Sequence, residues 1–108
     1  MMKVSDIVEK LALKVLCGDT DREVGGCYIG DLLSWVMSHA KCDDVWITIM
    51  SNSNVVAVAS LVDAACVIIA EDAAPEPEVV TLAQSKDVCL LSSGKTAFEL
   101  AALMPQLG

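Results

Sequence analysis

The sequence predicts an α/β fold of three layers, α/β/α, with a mainly parallel sheet of about four strands. Apolar runs rich in β-branched residues alternate along the chain with segments whose apolar residues recur at helical spacing. One run, ACVIIA at residues 65–70, is apolar throughout, which is typical of a strand buried on both faces of a parallel sheet. The chain has 108 residues, so we expect a single domain over residues 1–108.

Four strands are predicted from apolar runs that end in polar turns. They are expected at residues 13–16, 45–50, 65–70 and 88–91. Residues 24–28 can form a further short extended piece, but its two glycines weaken that interpretation. The predicted order is a first helix, capped by Ser5, and then four strands that are each followed by a helix. Such alternation produces a parallel sheet with helices on both faces.

The helix predicted at residues 29–40 has a clear apolar stripe. Its apolar residues fall at i, i+3, i+4, i+7, i+8 and i+11, and they are Ile29, Leu32, Leu33, Val36, Met37 and Ala40. Residues 55–62 contain valines that also suit a strand, but Val55, Val58 and Ala59 keep helical spacing. We therefore predict a second helix there, and because it is apolar on nearly all sides we expect it to be buried on two sides.

Two further helices are predicted from their first turns. Pro77 suits the first turn of one of them, since its missing N–H has no partner there in any case. Thr96 and Glu99 have the spacing of a capping box, which predicts the start of the last helix. The residues expected to pack inward from that helix are Phe98, Ala101 and Ala102.

Composition limits the classes of partner. The formal net charge is −8, so the overall field opposes contacts with nucleic-acid phosphates. We expect no membrane span, because no apolar stretch approaches 18 residues, and no signal peptide, because the start lacks a long apolar region. Five cysteines without a CxxC motif are neither a disulfide framework nor a zinc pattern, and reduced thiols indicate a cytoplasmic protein.

The apolar fraction, 55%, is more than a small domain hides easily, so we expect a homodimer. Trp46 lies in a predicted strand and is expected in the core. Trp35 lies off the apolar stripe of its helix, where it either contacts a second subunit or covers the core.

Three polar segments are expected to converge beyond the carboxyl ends of the strands, where ligands bind in such sheets. They are residues 18–26, 51–54 and 92–96, and each is expected to precede a helix with free N–H groups that attract anions. The candidate ligand-binding residues are Asp21, Arg22, Gly25, Gly26, Asn52, Asn54 and Ser93. The alternative is that these residues only cap helices and form turns.

Nothing in the sequence predicts a reaction, and the sequence names no cofactor. Gly94-Lys95-Thr96 is not a phosphate loop, because the glycine required five positions earlier is Cys89. His39 is the single histidine, and with Cys42 it supplies only two metal ligands, which do not make a site. We therefore predict no catalytic residues and no metal site.

The segment Asp21-Arg22-Glu23-Val24-Gly25-Gly26 resembles the signature of the DRTGG domain family, with Glu-Val in place of its single threonine. Further resemblance to stand-alone members lies at residues 30–37, 46–49, 54–59 and 98–100. The resemblance implies a fold related to the amino-terminal domain of HPr kinase/phosphorylase. It also implies a regulatory or dimer-forming role, since the family accompanies CBS, phosphotransacetylase or pyrophosphatase domains. Kinase activity is not expected, because the kinase's catalytic domain and phosphate loop are missing.

Two functions remain open from the sequence. The leading hypothesis is a non-enzymatic cytoplasmic regulatory or scaffold module that homodimerises through helix 55–62 and the face carrying Trp35, with an unknown protein partner. The resemblance to stand-alone proteins encoded near iron hydrogenase subunits implies a link to anaerobic redox metabolism. The alternative is a sensor that binds a small anionic ligand, such as a nucleotide or phosphorylated metabolite, at the carboxyl ends of the strands.

Overall fold

A five-stranded sheet forms the centre of this computed structural model, which describes residues 2–105. The strands are β1 (Lys14–Cys17), β2 (Gly26–Ile29), β3 (Asp44–Thr48), β4 (Cys66–Ile69) and β5 (Leu90–Ser92). Their order across the sheet is β1-β5-β4-β3-β2. Strands β2 to β5 are parallel, whereas β1 is antiparallel to β5 and forms one edge.

Helices cover both faces of the sheet, as the predicted three-layer α/β/α architecture requires. They are α1 (Val4–Leu11), α2 (Leu33–His39), α3 (Ser53–Val62), α4 (Pro77–Ser85) and α5 (Ala97–Leu103). Helices α1 and α5 pack on one face, and α2, α3 and α4 pack on the other. The predicted fold class is confirmed.

Alternation along the central strands divides the core into two clusters. Val45 and Ile47 face α1 and α5, while Trp46 between them faces the layer that contains α3. All three side chains are fully buried. Trp46 therefore lies in the core, as predicted, and its indole N–H donates to the carbonyl of Gly30 at 2.9 Å.

The sheet differs from the predicted sheet at its two edges. The weak extended piece at residues 24–28 is a full strand, β2, so the described residues form five strands instead of four. Strand β1 is followed by β2 and not by a helix, and it runs antiparallel to its neighbour β5. If β1 ran parallel to the other strands, its connection to β2 would need a long crossover, usually a helix. The loop of residues 18–25, which joins β1 to β2, contains no helix.

Helix α2 is shorter than its apolar stripe predicts. Ile29 belongs to β2, and the helix begins only at Leu33. Val36 is its one fully buried residue, whereas Leu32 and Met37 are exposed. The apolar periodicity of residues 29–40 therefore combines the end of an edge strand with a helix that leaves several apolar side chains in contact with solvent.

Helix α3 is buried on two sides, as its sequence predicts. Asn52 caps it by accepting a hydrogen bond from the N–H of Asn54 at 3.0 Å. Val55 and Val56 are buried, and α3 contacts both α2 and α4 within its own layer. Because neighbouring helices of the same chain bury it, the expected subunit interface at residues 55–62 is not needed to explain its apolar character.

The predicted helix cap is right at the last helix and wrong at the first. The last helix has the predicted capping box, with Thr96 and Glu99 bonded to each other's backbone N–H groups. At α1 the cap is Lys3, whose N–H donates to the Asp6 carboxylate at 2.9 Å, and Ser5 lies inside the helix.

The inward face predicted for α5 is wrong. Phe98 is 82% exposed, and Ala101 and Ala102 are exposed as well. Leu100 is the fully buried residue of this helix. With Thr96 as the cap, α5 has only seven residues, and it packs on the core through Leu100 together with the partly buried Ala97 and Met104.

Candidate functional site

The predicted ligand-binding residues lie at opposite ends of the parallel strands. We call the side of the sheet where these strands begin the amino edge and the side where they end the carboxyl edge, and both are distinct from the outer edge strands β1 and β2. The residues at the amino edge are Asp21, Arg22, Gly25 and Gly26, and those at the carboxyl edge are Asn52, Asn54 and Ser93. Residues 18–26 were expected at the carboxyl edge. They lie at the other one because β1 runs antiparallel and their loop leads into β2.

Arg22 is the centre of the amino edge. Its Nε and Nη2 donate to Asp43 Oδ1 at 3.0 and 2.7 Å. Its Nη1 donates to Asp63 Oδ1 at 3.0 Å, and its Nη2 also donates to the carbonyl of Asp63 at 2.7 Å. Asp43 precedes β3, and Asp63 ends α3. The guanidinium thus joins the loop before β2 to the two turns that lead into β3 and β4.

Each of the two turns that Arg22 holds contains an aspartate in the left-handed backbone conformation. Asp43 has a φ of 69° and Asp63 a φ of 57°, a conformation that aspartate tolerates better than most residues. The Cys42 thiol donates to Asp63 Oδ2 at 3.4 Å. Hydrogen bonds from Arg22 and then from Cys42 lower the pKa of Asp63, and the bond to Asp63 raises the pKa of Cys42.

The rest of the family signature also makes structural contacts. Asp21 pairs with Lys3 Nζ at 2.9 Å, and both side chains are well exposed. The N–H of Gly25 donates to the carbonyl of Asp43 at 2.9 Å. A Cβ on Gly26 would lie 2.7 Å from Asp44 Oδ1. The signature loop therefore fits closely against the turn before β3, and each of its polar groups named here is bonded within the chain.

At the carboxyl edge, the predicted residues stabilise turns and a helix cap. The Ser93 hydroxyl accepts from the N–H of Lys95 at 3.0 Å, and Asn52 caps α3. A cavity of about 180 Å³ lies on the β1–β5 side of this edge, and it is lined by Lys14, Leu16, Asp72, Ala74, Pro75 and Ser92. Lys14 and Asp72 give this cavity one charge of each sign. The sequence did not point to either of them, because only the antiparallel course of β1 brings Lys14 to this edge.

A larger groove of about 470 Å³ lies where the edge strand β2 meets α2. It is lined by Tyr28, Ile29, Gly30, Asp31, Leu32, Trp35 and Val36. Asp31 Oδ1 accepts from the Thr48 hydroxyl at 2.7 Å and from the N–H of Ile49 at 2.9 Å. Its carboxylate therefore ties the end of β2 to the end of β3.

Apolar side chains are exposed around this groove. Ile29 is 46% exposed, Leu32 66% and Trp35 57%. The indole of Trp35 stacks on the imidazole of His39 with ring centroids 4.3 Å apart, and His39 Nδ1 bonds to the carbonyl of Trp35 at 2.9 Å. We call β2 together with Leu32 and Trp35 the β2–α2 surface. Exposed apolar residues that cluster in this way mark interaction sites more often than scattered ones do.

The cysteines of the chain are all free thiols. Cys66 is buried, and burial raises the pKa of its thiol. Desolvation raises the pKa of Cys89 to about 12 and that of Cys27 to about 11. Over residues 2–105, no three His, Cys, Asp or Glu side chains come together in a group that could hold a metal ion. None of the helices in that range combines the length and the apolar character needed to cross a membrane.

The fold and the sites together define a small three-layer α/β domain, and the loop before its strand β2 carries the DRTGG-like signature. The DRTGG domain family model matches residues 6–107. The chain therefore belongs to the DRTGG domain family.

A solved structure has the same fold. It contains the CBS and DRTGG domains of the regulatory region of Clostridium perfringens pyrophosphatase, complexed with the activator diadenosine tetraphosphate. The similarity has a TM-score of 0.78 at 14% sequence identity, and it covers 93% of this chain and 44% of that one. This chain thus spans less than half of the other. No curated protein matches the sequence significantly.

Proposed function

We propose that this chain is a cytoplasmic regulatory module without catalytic activity of its own, and that it works as a homodimer. The observation that carries the proposal is the β2–α2 surface, where three large apolar side chains are exposed beside an open edge strand. The buried cores of homodimer interfaces are more apolar than the rest of the surface, and tryptophan is enriched among the residues that carry most of the binding energy. The regulatory role follows the family, whose solved relative is part of a regulatory region.

The bonding of the polar groups supports a role other than catalysis. The guanidinium of Arg22 is bonded to the turns at Asp43 and Asp63. The carboxylate of Asp31 accepts hydrogen bonds that join the ends of β2 and β3. The hydrogen bonds of His39 go to its own helix. A catalytic site instead requires a base that can reach a proton on a bound substrate.

Sedimentation velocity of the full chain at micromolar concentration tests this proposal. We expect twice the mass of the 11.4 kDa chain, and dissociation only on dilution. Trp35→Ser is expected to weaken the dimer by about tenfold or more, because tryptophans at interface centres contribute at least about 2 kcal/mol. Phe98→Ser removes an even more exposed aromatic ring from the other helical layer and serves as the control. A wild-type monomer across the micromolar range would contradict the proposal.

A sensor of a small anionic ligand is the second candidate function. The favouring observation is that the solved relative is complexed with a nucleotide activator. Of the residues expected to bind such a ligand, Asn52, Asn54 and Ser93 flank the carboxyl edge, where Lys14 supplies a positive charge. Asp21, Arg22, Gly25 and Gly26 would require a separate site at the amino edge.

Thermal unfolding with added nucleotides tests the sensor function. ATP or diadenosine tetraphosphate at a hundredfold excess over Kd would stabilise the chain by about 2.7 kcal/mol. Lys14→Ala is expected to remove the shift if the carboxyl edge binds the phosphates, whereas Lys3→Ala at the amino edge is expected to leave it unchanged. An absence of any shift would exclude this candidate for the nucleotides used. The link to anaerobic redox metabolism stays a prediction from the resemblance.

A further inference from the structure

We infer that two copies of this chain join edge to edge through β2 (Gly26–Ile29), so that their two sheets continue as one across a two-fold axis. The inference rests on the proposed homodimer and names the surface that forms it. The axis runs perpendicular to the sheet, which makes the two β2 strands antiparallel and keeps each helical layer on the same side in both copies.

The backbone of β2 has one free side. Within residues 2–105, β2 pairs only with β3. The N–H of Gly30 donates to the carbonyl of Ile47 at 3.2 Å, and the direction of backbone groups alternates along a strand. The N–H and C=O groups of Cys27 and Ile29 therefore point away from the sheet, where they are free to pair with another strand.

The two edges of the sheet differ in their protection. On β1, the register against β5 shifts between Val15 and Cys17, Lys14 is exposed, and α4 contacts the strand. Bulges, lysines and covering elements are the devices by which proteins prevent edge-to-edge pairing. Strand β2, with the sequence GCYI, has a regular register along its whole length and carries no charge and no proline. The N-terminal segment pairs with the residues just before β2, through the bridge between Lys3 and Glu23 and the bond from the N–H of Val24 to the carbonyl of Met2 at 2.8 Å. The open part of this edge is therefore β2 from Cys27 to Ile29.

The distribution of charge favours a second copy of the chain as the partner of this edge. The chain carries a net charge of −8, so most surfaces of one copy repel the same surface of another. Between Val24 and Ala40 there is a single formally charged residue, Asp31, and its carboxylate already accepts two hydrogen bonds within the chain. A two-fold axis places the same surface patch of the two copies in contact, so an uncharged surface is the one that can meet itself.

The side chains around β2 fit the same arrangement. In the pairing with β3, Ile29 lies opposite Ile47, which faces α1 and α5. Leu32 and Trp35 lie on the layer of α2. An antiparallel β2 pair would therefore have Ile29 on one face and Leu32 and Trp35 beside the other, so that apolar side chains lie above and below the seam.

Lysine substitutions at the two edges test the inference by sedimentation velocity. Ile29→Lys places a charge on β2, and Val15→Lys places the same charge on β1 at nearly the same exposure, 46% against 43%. We expect Ile29→Lys to raise the dimer Kd by about tenfold or more and Val15→Lys to leave it within about twofold. Far-UV circular dichroism checks that both variants are folded.

Hydrogen exchange of the wild-type amides decides the case if Ile29→Lys does not fold. The N–H groups of Cys27 and Ile29 are expected to exchange at least about tenfold more slowly at concentrations where the dimer forms than after dilution. A wild-type dimer that ignores Ile29→Lys, or whose β2 amides exchange at the same rate at both concentrations, would overturn this inference and leave the proposed homodimer intact. A wild-type monomer would overturn both.

Discussion

Arg22 binds two carboxylates that lie 21 and 41 residues further along the chain. Its side chain is 28% exposed, so its hydrogen bonds are only partly weakened by water. Replacing it with alanine leaves two aspartates in left-handed turns without their shared partner. We expect Arg22→Ala to lower the free energy of unfolding by about 1–2 kcal/mol, which urea denaturation would measure.

Lys3→Ala is the matched control, because the Lys3–Asp21 pair is a second ion pair of the signature loop but is far more exposed. We expect it to leave the urea midpoint nearly unchanged, because solvent screens an exposed ion pair. Equal effects from both substitutions would show that Arg22 is only a surface ion pair, and would leave its side chain available for a ligand.

The contribution of Arg22 depends on pH in a known direction. Hydrogen bonds from Arg22 and Cys42 lower the pKa of Asp63 in the folded state. The stabilisation is therefore complete above the ordinary pKa of aspartate and is lost as the pH falls through the lowered value. We expect the stability difference between wild type and Arg22→Ala to be full at pH 6 and to shrink below about pH 4. Urea midpoints across that range measure it, and a difference that grows with acid would contradict the assignment.

The partners of Arg22 could not be predicted from local sequence. Asp19 and Asp21 are its near acidic neighbours, but Asp19 accepts from the N–H of Asp21 and Asp21 pairs with Lys3. Only the strand order brings the turns at Asp43 and Asp63 together. The capping box of Thr96 was predicted correctly because a helix cap depends on only three or four neighbouring positions.

At the scale of elements, Gly18 fixes how β1 leaves the sheet. It has a φ of 103°, and an added Cβ would lie 2.4 Å from the Cα of Cys89. We expect Gly18→Ala to cost more than about 2 kcal/mol, since backbone strain and a clash with main-chain atoms add together. Gly25→Ala is the control, because its Cβ would meet Asp43 Cβ at an ordinary 3.5 Å. Thermal unfolding compares the two, and an equally stable Gly18→Ala would contradict this account of the turn.

Strong local patterns predicted most helices and the central strands. The edge strands were harder, because a strand that is half covered carries a weaker apolar pattern than one buried on both faces. In β2 a glycine and a tyrosine interrupt the pattern, and Ile29 fits a helical stripe and a strand end equally well. The direction of β1 depends on a pairing with β5 some 75 residues away, to which no local pattern refers. The position of Asn52, Asn54 and Ser93 at the carboxyl edge followed from the central strands, whereas residues 18–26 were placed at the wrong edge together with β1. A binding role for any of them stays a prediction.

At the scale of the whole molecule, the apolar excess of the composition is unevenly placed. Two core clusters bury apolar side chains on either side of the sheet. Those left outside on β2 and α2 adjoin one another and lie in residues 24–40, where Asp31 is the single formally charged residue. An acidic protein that leaves one uncharged apolar edge can associate there with least electrostatic cost, which connects composition, fold and the proposed dimer.

This distribution of charge predicts how salt affects the dimer. The chain measures 31 × 26 × 24 Å, so at about 0.01 M salt, where the Debye length is about 30 Å, nearly all charges of one copy repel those of the other. At about 0.15 M the Debye length falls to about 8 Å and only charges near the interface interact. We expect the dimer Kd to fall several-fold over this range in sedimentation equilibrium, with Val15→Lys following the same trend. A Kd that rises with salt would show that attractive ion pairs cross the interface, which an uncharged β2 edge does not provide.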